Sequence, residues 1–271
     1  MKVSYYGVKE FETSDEDPIS AHAEDIRIKG HTVIKNLLSE DELRDYRNKL
    51  DDIYQKQVDE FGGEENLRKI NDAFIVRLPL CYDDLFLELA TNKAVLSLVE
   101  KILGDYFILM LQNGIINLPT SKNFQTFWHR DLNYQHFISS RPLSVSALFC
   151  LDPFNVKTGG THLLPGTHKI EKFPTERYVL ENEIPADAPA GSVIIFDSML
   201  YHRAGVNLSK NTRRGVNHMY CLPFIKQQIS LPQALGGKFK DNPYLSKFLG
   251  YESEPGLNVM DWRNTRLNRI K

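Results

Sequence analysis

The sequence predicts a mainly β fold with flanking helices, a double-sheet jelly roll with N-terminal helices packed on one sheet. Two observations lead to this prediction. Before Gly104, apolar residues recur at helical intervals, whereas after it the chain consists of short β-rich runs separated by Gly, Pro, Asn and Thr. Helices followed by strands are typical of an antiparallel sheet that is covered by helices on one face.

The size and composition of the chain are those of an ordinary globular protein. Its 271 residues are 42% apolar and 25% charged, which is enough to build a sizeable core. Large β-sandwiches and barrels often reach this length as one unit, so we expect a single domain over residues 1–271. The net charge of −2, from 33 basic and 35 acidic residues, gives no global field that would attract nucleic acid or an anionic membrane. We therefore expect neither as a partner.

The cysteines and the start of the chain favour a cytoplasmic location. Cys81, Cys150 and Cys221 are odd in number and far apart, which indicates neither a disulfide framework nor a zinc site. The first residues contain no apolar segment behind a basic one, and no stretch approaches the roughly 18 apolar residues of a membrane-spanning helix. Export and membrane insertion are not expected.

The N-terminal part is predicted to supply the helices. Residues 1 to about 25 are polar and acidic and are expected to form an arm or a lid. A short strand is predicted over residues 31–35, followed by a helix that opens at Ser39, because Ser39 and Glu42 have the spacing of a capping box. A second helix is predicted over residues 85–103, because a glycine follows that would end it.

The remainder is predicted to supply the sheets and a surface tail. The β-rich runs cover residues 106–112, 143–151, 191–196 and 215–224. The tail, residues 231–271, is rich in Gly and Pro and is expected to wrap the surface as irregular structure with short helices.

Three residues form a candidate metal site. His129 and Asp131 are two positions apart, so on an extended strand both side chains project to one face and can chelate one ion. The third candidate ligand is His202, which follows an apolar strand. Two imidazoles and one carboxylate leave the opposite face of an octahedral ion open. This suits Fe(II) that must bind a bidentate keto acid and then O₂.

A cation is available beside this predicted site. Arg213 lies eleven residues after His202, which allows a turn and a return along the adjacent strand. A keto acid that chelates iron leaves a distal carboxylate in a largely apolar pocket, where it needs a fork-shaped and permanently charged partner. We therefore predict that Arg213 binds the distal carboxylate of 2-oxoglutarate.

The pattern of these motifs resembles the phytanoyl-CoA dioxygenase family of Fe(II)/2-oxoglutarate-dependent oxygenases. The resemblance covers most of the chain. GHTVIKNLLSEDEL (30–43) is similar to the entry strand and helix of the family, and WHRD (128–131) to its metal dipeptide. GGTHLLPGTHK (159–169) resembles the turn after the second ligand. DSMLYHRAGVNLSKNTRR (197–214) resembles the segment with the distal histidine, glycine, asparagine and 2-oxoglutarate arginine.

The resemblance implies a cupin-like double-stranded β-helix fold and a defined chemistry. 2-Oxoglutarate would be decarboxylated to succinate and CO₂, and a C–H bond of the substrate would be hydroxylated. Asp131 stands where related halogenases carry a small residue, which disfavours chlorination. Desaturation, epimerisation and cyclisation can begin from the same ligand set and stay open. We expect the substrate to be a small polar metabolite of secondary or catabolic metabolism.

Further contacts are predicted on both sides of the metal. The family takes keto-acid contacts from the strand before the metal dipeptide, where Gln112 and Asn117 are the candidates here. On the substrate side, the candidates just beyond the dipeptide and in an alternating apolar run are Asn133, Tyr134, His136 and Arg77. If Arg77 faces the cavity, the substrate carries an anionic group.

Two alternatives remain open at this point. In the first, the same three ligands bind zinc and activate water in a jelly-roll hydrolase or isomerase. Such a site needs no buried cation beyond the distal ligand, so Arg213 discriminates between the two enzymes. In the second, the histidines only pack, and the protein is a non-catalytic module that binds a metabolite. The oligomeric state is not predicted.

Overall fold

The computed structural model describes residues 6, 17–120, 124–132 and 136–270. The helices of this part of the chain are α1 (Pro18–Lys29), α2 (Glu40–Glu60), α3 (Glu64–Lys69), α4 (Leu85–Ala90), α5 (Lys93–Leu103), α6 (Glu176–Asn182), α7 (Leu231–Ala234), α8 (Pro243–Phe248) and α9 (Val259–Ile270). Its strands are β1 (His31–Ile34), β2 (Ile75–Arg77), β3 (Ile108–Asn117), β4 (Ser144–Cys150), β5 (Thr161–Leu163), β6 (Ile184–Pro185), β7 (Val193–Asp197), β8 (His202–Ala204) and β9 (Arg213–Cys221).

The strands form a large and a small antiparallel sheet. Among the described residues, six strands pair in the order β1-β7-β4-β9-β3-β2, and three strands pair in the order β6-β5-β8. This arrangement confirms the predicted mainly β fold with flanking helices. The sheet order joins strands that are far apart in sequence, as a jelly roll requires.

The large sheet has a different core on each face. Val193 and Ile195 of β7 pack with the apolar side of the helices. The alternate residues Ile194 and Phe196 pack in a second cluster between the two sheets. This alternation follows from the two-residue period of a strand. The space between the sheets is therefore separate from the helix layer, and it is there that the site residues converge.

An N-terminal helix that the sequence did not predict precedes β1. α1 starts at Pro18, inside the segment that was expected to form an arm, and Asp17 caps it by accepting a hydrogen bond from the Ile19 amide. Ser20 and Ala23 are buried, so this part of the segment belongs to the packed body. The predicted capping box of α2 is confirmed by hydrogen bonds in both directions between Ser39 and Glu42.

The second predicted helix is in fact two helices. α4 ends at Ala90 and α5 begins at Lys93, and the side chain of Asn92 caps α5 by accepting from the Ala94 and Val95 amides. An asparagine at this position stabilises a new helix start in place of a continuous helix. The predicted end at Gly104 is confirmed.

The C-terminal tail contains α7, α8 and α9 in addition to irregular structure. α8 packs inward through Phe248, whereas Val259, Met260 and Trp262 of α9 are exposed. Across the described residues, no helix has the length and apolar character needed to cross a membrane.

Candidate metal centre and keto-acid pocket

Backbone pairing brings the three predicted metal ligands together. His129 and His202 exchange amide-to-carbonyl hydrogen bonds of 3.0 and 3.1 Å, which fixes the two ligand segments side by side. Asp131 is held by a bond of 2.9 Å from its amide to the Ser198 carbonyl. The candidate ligand atoms of His129, Asp131 and His202 all lie within 4.8 Å of one another. One ion can therefore contact all three.

The ring orientation of both histidines suits metal binding. Nδ1 of His129 lies 2.8 Å from the Phe127 carbonyl, and Nδ1 of His202 lies 2.9 Å from the Leu200 carbonyl. Because a carbonyl only accepts, each Nδ1 carries the proton and donates. Each Nε2 is then the ring nitrogen available to a metal ion, and both face Oδ1 of Asp131, at 3.9 Å from His129 and 3.2 Å from His202. Two imidazoles and one carboxylate oxygen are a donor set that fits Fe(II).

The charges of the site favour an ionised Asp131. Burial opposes ionisation of this carboxyl, but the facing imidazoles of His202 and His129 and the Ser146 hydroxyl hold its pKa below the usual value. Burial, together with the neighbouring His202, lowers the pKa of His129 to about 4. The carboxylate outweighs burial at His202 and raises the pKa of that imidazole. A cation at the centre of the cluster would take the place of the proton shared by this pair.

The neighbours of the metal ligands attach both ligand segments to one loop. The guanidinium of Arg130 is buried and lies 4.0 Å from the Tyr201 ring. It donates a hydrogen bond of 3.0 Å to the Thr167 carbonyl. Tyr201 donates 3.1 Å from its hydroxyl to the Glu171 carbonyl. Arg130 adjoins two of the ligands and Tyr201 adjoins the third, so this contact ties their backbone positions together.

Arg213 is a buried cation that lines one cavity together with the three candidate metal ligands. It is 2% exposed, donates 2.7 Å to the Gly159 carbonyl and lies 4.2 Å from the ring of Phe154. Burial lowers the pKa of Arg213 to about 10, so it is still charged at neutral pH. In the part of the chain that the structure describes, no carboxylate forms an ion pair with it, and its Nε has no hydrogen-bond partner. A buried charge of this kind calls for an anionic ligand.

A narrow cavity connects Arg213 with the three candidate metal ligands. The side chains that line it between these ends are Ile115, Gln125, Leu148, Thr161, Phe196, Ala204 and Asn217. Most of them are apolar, and they come from both sheets and from the loop before His129. The cavity thus offers an ion site at one end, a cation at the other and an apolar wall between them. The zinc alternative has no use for the buried cation.

Asn117 lies next to Arg213 without lining the cavity, and Gln112 does not reach the cavity either. Asn117 pairs in register with Arg213 and directs its amide toward the Gly159 and Gly205 carbonyls. Gln112 lies on the opposite, helix-covered face of β3. Its side-chain oxygen accepts a hydrogen bond of 2.8 Å from the Leu80 amide. Its side-chain nitrogen donates to the Phe86 carbonyl at 2.7 Å and lies 2.7 Å from Nε2 of His218. These contacts occupy the Gln112 side chain fully, so the geometry does not support its predicted role.

The substrate-side candidates are only partly described. Asn133 and Tyr134 lie outside the described residues, and His136 is exposed. Arg77 is on the inner face of the large sheet, because it pairs with Asn113 on β3, which in turn pairs with Asn217. Its guanidinium forms an ion pair with Asp72. The charge of Arg77 is therefore already balanced, and the argument for an anionic substrate is lost.

Sequence reasoning missed several residues that contact the site. Gln125 and Thr161 line the cavity, and Ser146 and Asn217 contact Asp131. A signal existed for Asn217, because it is four positions after Arg213 on one strand and so points to the same face. None existed for Gln125, which lies in a one-turn 3₁₀ helix.

Comparison with known proteins agrees with this geometry. A model of the family described as phytanoyl-CoA dioxygenase (PhyH) matches residues 26–215. The chain is 35% identical over 213 residues to the uncharacterized protein Rv1501 of Mycobacterium tuberculosis, across 76% of this chain and 77% of that one. It is 27% identical over 118 residues to the iron/alpha-ketoglutarate-dependent dioxygenase penM of Penicillium thymicola, across 41% and 36% of the two chains.

A solved structure extends the comparison to the fold. The epimerase SnoN, crystallised with Fe³⁺, alpha ketoglutarate and nogalamycin RO, superposes with a TM-score of 0.58 at 17% identity, over 76% of this chain and 85% of that chain. This structural likeness confirms the predicted jelly roll. The family match, the relative penM and the ligand cluster confirm the expected cofactors, Fe(II) and 2-oxoglutarate, for the class of enzyme. From the family match and the ligand cluster together, we conclude that the chain belongs to the phytanoyl-CoA dioxygenase family and is an enzyme of the Fe(II)/2-oxoglutarate dioxygenase superfamily.

Proposed function

We propose that the protein hydroxylates a C–H bond of a small polar metabolite, using O₂ and 2-oxoglutarate and releasing succinate and CO₂. His129, Asp131 and His202 hold the iron, and Arg213 binds the distal carboxylate of the keto acid. The observation that carries this proposal is the buried Arg213, which has no carboxylate partner among the described residues and shares a cavity with the ligand cluster. A keto acid supplies the missing anion.

The residues that line the cavity and those packed around Arg213 have separate parts in binding. The Phe154 ring and the Gly159 carbonyl hold the guanidinium of Arg213 in place. Ile115, Leu148 and Phe196 exclude water from the space between the two ends, which strengthens the pairing of opposite charges there. Asn117 braces the same turn from the adjacent strand, and this is the part we assign to it. Iron, when bound, supplies the oxidising chemistry of the class.

The substrate is proposed to be uncharged or only weakly charged on the side that faces the metal. Arg77, the cation predicted for the substrate side, is neutralised by Asp72. Among the described residues that line the metal cavity, Arg213 is the only cation, and the keto acid occupies it. Asn133, Tyr134 and His136 remain proposed substrate contacts, because they directly follow the metal dipeptide.

Product analysis tests the type of reaction. Candidate metabolites are incubated with Fe(II), 2-oxoglutarate and O₂, succinate release is measured, and the product mass is compared with that of the substrate. Hydroxylation adds one oxygen atom, desaturation or cyclisation removes two hydrogen atoms, and epimerisation leaves the mass unchanged. Succinate release that is coupled to gain of one oxygen atom is expected. Turnover of long-chain acyl-CoA alone would contradict the proposal of a small polar substrate.

The proposal extends to the domain organisation, location and partners of the enzyme. We take residues 1–271 as one catalytic domain that acts in the cytoplasm on a small molecule and needs neither nucleic acid nor a membrane. The balanced charge of the chain supports this proposal.

A further inference from the structure

The two oxygens of the Asp131 carboxylate have different partners. Oδ1 faces the histidines, at 3.2 Å from Nε2 of His202. Oδ2 accepts hydrogen bonds from the Ser146 hydroxyl, at 2.6 Å, and from the Asn217 amide, at 3.3 Å. The carboxylate is therefore held at the oxygen that points away from the other candidate ligands.

Ser146 is committed to this contact. It is completely buried on β4, and its oxygen also lies 2.9 Å from the Ser198 hydroxyl. A hydroxyl has one proton, and a carboxylate only accepts, so Ser146 donates to Asp131 and accepts from Ser198. The result is a short chain of hydrogen bonds that ends on Oδ2 and fixes its direction.

The contact with Asp131 also accounts for an asparagine at position 217. Its amide nitrogen donates to Oδ2, whereas its amide oxygen is buried and has no hydrogen-bond partner in the described residues. An unpaired buried oxygen is unfavourable, so an apolar residue of the same size would be more favourable for folding alone. The bond to Asp131 gives the asparagine a purpose that packing does not.

We infer that Ser146 and Asn217 are positioning residues that hold Asp131 as a one-oxygen metal ligand. By restraining Oδ2, they keep the carboxylate from rotating to offer both oxygens, so that the remaining positions on the ion stay available for the keto acid and O₂. This inference rests on the proposed metal centre. Residues that orient metal ligands in this way typically change metal affinity by about 10- to 100-fold when they are replaced.

The chain offers a matched control for each residue. Ser144 is two positions before Ser146 on the same face of β4, is also buried, and its hydroxyl has no partner in the described residues. Asn113 is the cross-strand partner of Asn217, and its amide lies against Arg77 and the Gln112 carbonyl. Neither control contacts Asp131.

Binding of Co(II) to the metal-free protein provides the test. Affinity is measured by calorimetry, coordination by the visible bands of bound Co(II), and folding by thermal unfolding of the metal-free variants. We expect Ser146→Ala and Asn217→Leu to weaken Co(II) binding by about tenfold or more and to change the visible bands. Ser144→Ala and Asn113→Leu should bind like the wild type. Ser146→Thr, which keeps the hydroxyl, should recover most of the affinity.

Each outcome has a separate meaning. If Ser146→Ala and Asn217→Leu bind Co(II) with wild-type affinity and spectrum, while His202→Ala loses binding, the positioning role is wrong and the metal centre stands. If the wild type does not bind Co(II), or His202→Ala binds it equally well, the proposed metal centre itself fails. Should Ser146→Ala not fold, the comparison of Asn217→Leu with Asn113→Leu decides the question by the same criteria.

Discussion

Arg213 and Arg214 are adjacent in the chain but lie in opposite environments. Arg213 points between the sheets, whereas Arg214 points to the helix side and pairs with Asp51 at 2.7 Å and with Asp152 at 3.4 Å. Successive residues of a strand face opposite ways, so β9 delivers one arginine to the cavity and uses the other to attach α2. The neutralised Arg214 is a natural control for the unpaired Arg213.

Replacement of Gln112 tests whether its side chain lies on the helix-covered face of β3 and takes no part in keto-acid binding. Gln112→Leu should lower the free energy of unfolding by about 2 to 4 kcal/mol, because it leaves buried partners on Leu80, Phe86 and His218 unsatisfied. The affinity of the folded variant for 2-oxoglutarate should be unchanged. Chemical denaturation and keto-acid titration measure the two quantities. A stable variant with weakened keto-acid binding would restore the role that the sequence predicted.

The sequence could predict those site residues whose chemistry is rare. Two histidines, an aspartate and an arginine at suitable spacings point to a metal and a keto acid whatever the exact register. The Gln112 prediction depended on which face of β3 the side chain occupies. Gln112 and Asn117 are five residues apart on a regular stretch of β3, so they face opposite ways: Asn117 pairs with Arg213 and Gln112 pairs with His218. The alternation shows that only one of the two can face the cavity, but the sequence alone does not say which.

At the scale of elements, one turn connects Arg213 with the strands around it. Gly159 has φ +69°, and an added Cβ would lie 2.6 Å from the Gly205 carbonyl and 2.7 Å from the Asn207 amide. Both neighbours are backbone atoms, so the turn would have to move. Because the Gly159 carbonyl accepts from Arg213, such a movement would displace the guanidinium.

Gly159→Ala should therefore weaken 2-oxoglutarate binding several-fold as well as lower stability. Gly166→Ala is the matched control, since Gly166 also has a positive φ, +78°, but an added Cβ would meet nothing within 4 Å. It should lose about 1 to 2 kcal/mol of stability from backbone strain alone and keep its keto-acid affinity. Equal keto-acid affinities in the two variants would show that the turn does not position Arg213.

The shortest elements were beyond sequence prediction for a physical reason. β5 and β8 have three residues each, too few to display an alternating pattern, yet β8 carries His202 and β5 lines the cavity through Thr161. The long strands and α2 were predicted because their apolar patterns repeat several times. The break between α4 and α5 was missed because both halves continue the same apolar face, and only the cap at Asn92 separates them.

At the scale of the whole molecule, buried histidines limit stability in acid. His168, in the segment 159–169, is buried next to α1. Its Nε2 lies 3.2 Å from the Arg27 carbonyl of that helix. Burial, opposed in part by this hydrogen bond, lowers the pKa of His168 from 6.5 to about 4. The folded protein therefore keeps this residue neutral in a pH range where the unfolded chain protonates it.

The sign of the effect follows from proton binding. Between pH 6.5 and about 4 the unfolded chain binds a proton at His168 that the folded chain does not, so the unfolding free energy falls as the pH falls. His168→Gln should remove up to about 1.4 kcal/mol per pH unit, the value for one proton, from the slope of unfolding free energy against pH. A His168→Gln variant with the wild-type slope would contradict this account.

The measurement that tests the central claim most directly is anaerobic titration of 2-oxoglutarate into the protein with Fe(II), followed by the visible charge-transfer band of a keto acid chelated to iron. The wild type should give this band. Arg213→Gln should raise the keto-acid concentration that gives half of the band by about 10- to 100-fold, which is the equivalent of a lost charge-assisted hydrogen bond. Arg214→Gln should titrate like the wild type. A wild type without the band at saturating keto acid, or an Arg213→Gln variant with unchanged affinity, would contradict the assignment of this cavity to 2-oxoglutarate.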